Sequence, residues 1–284
     1  MSSHDDDASN PLQSRAMVEL TRCVRFCLNR IPAPESGKFN TFSAWPAMSG
    51  LGRYYELLVT CRGEPDPQTG YFLNIKAIDT AVRQHVLPYL QTIVAPGEDP
   101  SQVPMGKLMQ RIITLLQQPL NASVIRVRLA LTPFYQLQIR SCDMDHVILR
   151  QQYEFAAAHR LHVPELSDEE NRKIFGKCNN PSGHGHNYQV EVAVKCPIDN
   201  NGHIATVNKI DQLVDNEIME RLDHKHLNED VDAFANLNPS VENIAKVIYD
   251  WLVVAMDKEN LKLEVVSVWE TGKTRCTYPA GVLS

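Results

Sequence analysis

The sequence has little of what marks several large classes of protein. It contains no apolar run of the roughly 18 residues that a transmembrane helix needs, so we expect no membrane association. Basic residues are not in surplus, since the formal net charge is −6 and the isoelectric point is about 5.9. That balance argues against a nucleic-acid partner. The first residues, MSSHDDD, are acidic and lack the basic-then-apolar layout of a secretory signal.

The cysteine content gives no sign of a disulfide framework. Seven cysteines are scattered through 284 residues, and an odd number fits reduced thiols better than paired ones. Together with the acidic start, this predicts a cytoplasmic protein. The remaining composition, 43% hydrophobic and 22% charged, is that of an ordinary globular chain. The length suits one large domain or two of average size.

A weak internal repeat divides the chain. Gly50-Leu51-Gly52 and Gly183-His184-Gly185 each precede a strand-like segment, and the two motifs lie 133 residues apart. The later pairs Ile78-Asp79 and Ile210-Asp211 lie 132 residues apart. Such a near-constant offset between separate landmarks predicts a tandem duplication.

We therefore predict a disordered acidic tail at residues 1–14, a first domain at 15–142 and a second domain at 143–284. Each half offers two strands, two amphipathic helices and further strands. This order is typical of an α+β fold in which helices back an antiparallel sheet.

Finer features follow from local signals. We expect a strand directly after Gly70 and another after Gly202, and one closing strand from Val124 to Ile139. Asn238 is the expected cap of the last helix, with Pro239 as its first residue.

The segment His184-Gly185-His186 is the sharpest chemical feature. Residues i and i+2 of a strand point to the same face, so the two imidazoles can bind one metal ion. A third imidazole is available from His159, in the strand-like stretch 147–161. Three histidines with an open fourth position form a catalytic zinc site. The alternative is a pair of surface histidines without a metal.

Cys178 lies six residues before His184, in a segment whose Asn-Asn-Pro-Ser-Gly sequence predicts a loop. A thiolate near a cation has a lowered pKa and can act as a base or a nucleophile. Two alternatives stay open at this point. Cys178 is either a fourth metal ligand that closes the site or a small buried hydrophobic residue.

Two further groups of acidic and imidazole side chains follow. Asp223 and His224 come at a predicted helix end, where the carboxylate can orient the imidazole; the alternative is a solvated helix end. Glu270 ends an apolar strand, where a carboxylate is costly unless it pairs with a ligand or a cation.

Four motifs in this order resemble the 6-pyruvoyl-tetrahydropterin synthase family over nearly all of residues 147–278. They are Phe155-Ala156-Ala157-Ala158-His159-Arg160-Leu161, the run from Lys177 to Tyr188, Leu222-Asp223-His224-Lys225-His226-Leu227-Asn228 and Trp269-Glu270-Thr271. The resemblance implies the tunnelling fold, with Zn²⁺ held by His159, His184 and His186. It also implies a lyase of tetrahydrobiopterin biosynthesis that eliminates triphosphate from 7,8-dihydroneopterin triphosphate.

The resemblance assigns roles to five other residues. It implies Cys178 as the general base, and Asp223 with His224 as a proton relay. It implies Glu270 as the anchor of the pterin ring, with Glu242 also lining the pocket. Proton abstraction beside a hydroxyl group develops negative charge on the substrate oxygens, and a zinc ion that contacts these oxygens would stabilise that charge.

Two other functions share these features. The 6-carboxy-tetrahydropterin synthases of the queuosine pathway have the same fold, zinc ligands and substrate. They usually place the cysteine four residues before the His-x-His motif, whereas Cys178 precedes His184 by six. A non-catalytic pterin-binding or assembly protein on the same fold is the alternative from another class.

The first half lacks the corresponding chemistry, so we expect it to bind no zinc. The repeat aligns Leu51 and Arg53 with His184 and His186, Trp45 with Cys178, Asn29-Arg30 with His159-Arg160, and Leu131 with Glu270. The resemblance further implies a homo-oligomer, a trimer of two-domain chains or a multiple of it.

Overall fold

The computed structural model describes residues 16–30 and 42–281. The predicted disordered tail at 1–14 lies outside these ranges. The strands of the described part are β1 (Val18–Leu28), β2 (Arg53–Gly63), β3 (Ser123–Ala130), β4 (Tyr135–Arg140), β5 (Asp143–His159), β6 (His184–Pro197), β7 (Lys225–His226), β8 (Lys262–Thr271) and β9 (Thr274–Tyr278).

Helices connect the strands in each half. They are α1 (Ile75–Ala81), α2 (Leu87–Ile93), α3 (Met105–Gln117), α4 (Asp168–Phe175), α5 (Val207–Val214), α6 (Glu220–Leu222), α7 (Leu227–Asp230) and α8 (Val241–Lys258). Short 3₁₀ turns lie at Pro100–Gln102, Gly176–Asn179 and Asp232–Phe234. Among the described residues, no helix is long and apolar enough to cross a membrane.

One sheet runs through the whole described part of the molecule. Its order is β1-β2-β3-β4-β5-β6-β8-β9, with every neighbouring pair antiparallel, and β7 lies parallel to the end of β5. The predicted domain boundary falls in the turn between β4 and β5, and these two strands pair with each other. One hydrophobic core extends beneath both halves. The predicted antiparallel sheet with helices is therefore confirmed.

Strand alternation determines which side chains reach the helix-covered face. In β6, Tyr188, Val190, Val192 and Val194 are fully buried in the core. Side chains two residues apart point to the same face. The side chains of His184 and His186, at the start of β6, therefore point to this face too.

The two halves repeat an unusual helix feature. Residues Val82–Val86 between α1 and α2 form a π-helical turn, and so do residues Asp215–Met219 between α5 and α6. The two turns lie 133 residues apart. Because well under about 1% of residues adopt this conformation, coincidence is a poor explanation for the match.

The sheet repeats a pair of aromatic rings in the same way. Phe26 lies opposite Tyr55 across β1 and β2, with ring centroids 5.9 Å apart. Phe155 lies opposite Tyr188 across β5 and β6, with ring centroids 5.0 Å apart. These pairs give a common reference point for comparing the ends of the strands.

Four local predictions were wrong. No strand follows Gly70 or Gly202; coil leads into α1 and α5, whose caps are Asn74 and Thr206. The last helix is capped by Ser240, whose side chain accepts a hydrogen bond from the backbone N–H of Asn243.

The closing segment of the first half is also not one strand. It is the hairpin of β3 and β4, because the backbone turns at residues 131–134. The helix α4 was not predicted, although its capping box of Ser167 and Glu170 is a recognisable start signal.

Candidate metal centre and active site

Three histidines meet at one end of the sheet. His159 is the last residue of β5 and His184 is the first of β6, and the two are direct partners in the antiparallel register. His186 follows two residues later on the same face. One ring nitrogen from each of the three lies within 4.8 Å of the others. The predicted cluster of histidines is therefore present in the structure.

The environment of His159 fixes which of its nitrogens is free. Its side chain is fully buried, and Nδ1 lies 2.7 Å from the carbonyl oxygen of Pro239. A carbonyl only accepts, so Nδ1 carries the proton and Nε2 presents a lone pair. Desolvation lowers the pKa of His159 to about 4, against the opposing hydrogen bond to Pro239. This imidazole is therefore neutral, as a metal ligand must be.

The separation of two of these nitrogens matches that in a tetrahedral metal site. Nε2 of His159 and Nε2 of His184 are 3.2 Å apart. Tetrahedral zinc with Zn–N bonds of about 2.0–2.1 Å requires a ligand separation of about 3.3 Å. Nε2 of His186 is buried and has no hydrogen-bond partner in the described part of the chain. A cation held by the three histidines would satisfy this nitrogen.

Glu270 borders the histidine cluster. Its Oε1 lies 3.4 Å from Nε2 of His159 and 3.6 Å from Nε2 of His186, and its side chain is 20% exposed. The carboxylate does not belong to the set of mutually close ligand atoms. No lysine or arginine of the described residues forms an ion pair with it. The alternative of a purely structural ion pair with a cationic side chain therefore loses support.

Cys178 lies in the 3₁₀ turn Gly176–Asn179 and is partly buried. Its carbonyl accepts a hydrogen bond from the backbone N–H of Leu161, and the side chain of Asn179 donates to the carbonyl of Leu161. These bonds hold the turn against the end of β5. The thiol is outside the histidine cluster, which argues against Cys178 as a fourth ligand.

The electrostatic setting of Cys178 differs from the simplest expectation. Burial raises the pKa of the thiol, and the nearby Glu270 carboxylate raises it further. The chain's own groups thus favour the thiol over the thiolate. Thiolate formation at neutral pH needs a positive charge close by.

Gly183 makes the turn into β6 possible. Its φ is +68°, and a Cβ atom there would lie 2.7 Å from Nε2 of His226 and 3.0 Å from the carbonyl oxygen of His159. Any other residue would strain the backbone and push against the strand that carries His159.

Asp223 and His224 lie where α6 ends. Asp223 accepts a hydrogen bond from the backbone N–H of Ala156 at 2.8 Å, and this bond is the main reason that its pKa is lowered. Its second oxygen is 2.9 Å from Nδ1 of His224, whose side chain is 83% exposed. Among the described residues, no hydrogen bond or ion pair connects this pair to Cys178.

Glu242 is the first-turn carboxylate of α8. It is exposed in the first turn of α8, and its charge helps to raise the pKa of Cys276 on β9, where burial is the larger cause. Among the described residues, no hydrogen bond or ion pair connects it to the histidine cluster.

Two contributors to the site were not predicted. The carbonyl of Pro239 orients His159, and backbone groups leave no residue-type signal in a sequence. Tyr188 is fully buried, and its ring lies edge-on to His159 and His186 at 6.0 and 5.5 Å. Its hydroxyl has no hydrogen-bond partner among the residues that the structure describes. Its position two residues after His186 was the available signal.

Comparisons with known proteins agree with this geometry. The family model for 6-pyruvoyl tetrahydropterin synthase matches residues 148–280. The 6-pyruvoyl tetrahydrobiopterin synthase of Drosophila melanogaster is 44% identical over 131 residues, which are 46% of this chain and 77% of that protein. This chain belongs to the 6-pyruvoyl tetrahydropterin synthase family.

Other members of the family match over similar lengths. The 6-pyruvoyl tetrahydrobiopterin synthase of Homo sapiens is 46% identical over 125 residues, which are 44% of this chain and 85% of the human protein. The solved structure of Caenorhabditis elegans 6-pyruvoyl tetrahydropterin synthase is 34% identical, with a TM-score of 0.45, and covers 48% of this chain and 96% of that one. The three histidines, Cys178 and Glu270 all lie inside the part matched by the family model.

Proposed function

We propose that this chain is a zinc-dependent lyase that converts 7,8-dihydroneopterin triphosphate into 6-pyruvoyl-tetrahydropterin and eliminates triphosphate. The observation that carries the proposal is the convergence of His159, His184 and His186 at the strand ends, inside the matched region. Enzymes named 6-pyruvoyl tetrahydrobiopterin synthase are 43–46% identical to the chain over that length.

The histidines have the properties that such a site needs. Desolvation lowers the pKa of His159 and of His184, so both are neutral at pH 7. When bound, zinc supplies a Lewis acid beside the oxygens on which negative charge develops. The Pro239 carbonyl keeps the lone pair of His159 aimed at the cluster.

We propose Cys178 as the general base and Glu270 as the acceptor for the N–H groups of the pterin ring. The thiol and the carboxylate are close enough to influence each other electrostatically, and the carboxylate borders the histidines. A positive charge at the cluster counteracts both causes that raise the thiol pKa. We also propose Asp223 and His224 as a proton relay, since the carboxylate lies 2.9 Å from Nδ1 of the exposed imidazole.

We further propose that the chain is a tandem duplication with a first half that binds no zinc. The matching π-helical turns and the matching ring pairs support it. We also propose a homo-oligomer, as the family implies, and sedimentation equilibrium of the full chain tests it. A cytoplasmic location is likewise a proposal.

The decisive experiment incubates zinc-loaded protein with 7,8-dihydroneopterin triphosphate and identifies the pterin by mass spectrometry. A 6-pyruvoyl product with released triphosphate is the expected outcome. A 6-carboxy product with acetaldehyde would replace this proposal by the queuosine-pathway reaction. Substrate binding without turnover would make the chain a pterin-binding protein.

A further inference from the structure

The first half contains a cleft at the position that corresponds to the histidine cluster. The strands are compared from their ring pairs, Tyr55 with Phe26 and Tyr188 with Phe155. Two residues before Tyr188 is His186, and two residues before Tyr55 is Arg53. The residue four positions before each tyrosine is His184 in one half and Leu51 in the other.

The counterpart of His159 follows from the same count. Four residues after Phe155 is His159, and four after Phe26 is Arg30. The alignment by sequence placed Asn29 with His159, and this count, continued two residues beyond Leu28 at the end of β1, gives Arg30 instead. The Asn29 side chain holds the loop before β2, since it donates to the carbonyl of Ala47 and accepts from the N–H of Ser49.

The third strand completes the comparison. Val190 lies opposite Val268, so Tyr188 and Glu270 are the next pair on that face. Leu57 lies opposite Leu129, which makes Leu131 the counterpart of Glu270. The metal-binding nitrogens and the carboxylate are thus replaced by two guanidinium groups and two leucines.

The replacement leaves an open space rather than a filled core. An apolar part of about 200 Å³ lies between the ends of β1, β2 and β3 and the helices α2 and α3, with Leu28, Leu90, Leu108, Leu129 and Leu131 in its wall. A more open part of about 480 Å³ adjoins it and is lined by Arg30, Arg53, Leu51 and Glu98. Leu28, Arg53, Val94 and Pro100 line both parts.

The two arginines are available at the mouth. Both are exposed, and neither side chain forms an ion pair or a hydrogen bond within the described residues. One carboxylate, Glu98, faces two cations there. An apolar interior with a cationic mouth complements a molecule with an apolar body and one anionic group.

We propose that this cleft is a second ligand site, which binds a small aliphatic or aromatic acid with its apolar body against Leu131 and its anionic group at Arg53. The site takes no metal, because it offers no imidazole, thiol or carboxylate at the positions of the cluster. It does not select pterins, because Leu131 cannot accept the hydrogen bonds that a pterin ring donates. The combined space suits a small ligand, for which clefts of roughly 300–1,000 Å³ are typical.

The test uses the full chain and two fluorescent probes, the anionic 1,8-anilinonaphthalene sulfonate and the uncharged Nile red. Wild-type protein should bind one anionic probe per chain, and decanoate should displace it. Arg53→Leu should weaken the anionic probe about tenfold, as expected for one charge-assisted contact at a partly hydrated mouth, and leave Nile red binding unchanged. Arg172→Leu, which removes an exposed arginine of α4, is the matched control and should change neither probe.

A second variant addresses the apolar part. Leu131→Glu introduces a carboxylate into the cleft and should abolish binding of the anionic probe, while zinc content stays unchanged. Equal affinity of wild-type and Arg53→Leu protein for the anionic probe would overturn the proposal. Failure of the wild-type chain to bind either probe would also overturn it. If, in addition, Leu51→Asp changed the sedimentation mass, this face would be a contact between copies of the chain.

Discussion

Replacing Glu270 by glutamine is the sharpest test of the proposed recognition of the pterin. The substitution keeps the size of the side chain and removes its charge and one acceptor. The carboxylate oxygen is 3.4 Å from the nearest histidine nitrogen and is bound to no lysine or arginine of the described residues. Its loss therefore breaks no ion pair with a lysine or arginine that would stabilise the fold.

The expected effect falls on the ligand. A pterin ring that donates two parallel hydrogen bonds to Glu270 keeps at most one acceptor in Glu270→Gln. A donor left unpaired in a desolvated pocket costs about 1–3 kcal/mol, which is about ten- to a hundredfold in the dissociation constant. Zinc content and melting temperature should barely change.

Three measurements on each sample separate the outcomes. Calorimetric titration of zinc-loaded protein with neopterin gives the affinity, elemental analysis gives the zinc content, and thermal unfolding gives the stability. Glu220→Gln, an exposed carboxylate of α6, is the control. Unchanged neopterin affinity in Glu270→Gln refutes the role as anchor, and a loss of zinc instead assigns Glu270 to the metal.

Two further substitutions test the centre itself. His184→Ala should lose both zinc and turnover, because two imidazoles make a poor metal site. His203→Ala, which removes an exposed histidine, is the control and should keep one zinc per chain. Two zinc ions per wild-type chain would contradict the proposal that the first half binds none. Cys178→Ala should lose turnover by at least a hundredfold and keep both zinc and neopterin binding, and release of zinc from this variant would make Cys178 a ligand.

The histidine cluster could be predicted because most of its signal is local in the sequence. His184 and His186 lie on one face of a strand, and the antiparallel pairing of β5 with β6 brings His159 opposite His184. The strand ends could be located from apolar runs and glycine motifs. The halves could be compared because landmarks such as Ile78 and Ile210 lie at a near-constant offset.

Other features depend on contacts that no spacing records. The carbonyl of Pro239 reaches His159 from a segment 80 residues away. The pKa of Cys178 depends on how deeply its turn is packed. The sequence match pairs His159 with Asn29, whereas a count of four residues from Phe26 pairs it with Arg30.

The pairing of β4 with β5 has a consequence for how the second half, which carries the histidine cluster, finds its neighbour. That half has a long strand, β5, which requires a partner along much of its length. The partner is on the same polypeptide, so its local concentration is set by a two-residue connection and does not change when the protein is diluted. The two edges of the second half are therefore unequal, since one is covered by β4 of the same chain. Substitutions on β4 alter only that edge and leave the other unchanged.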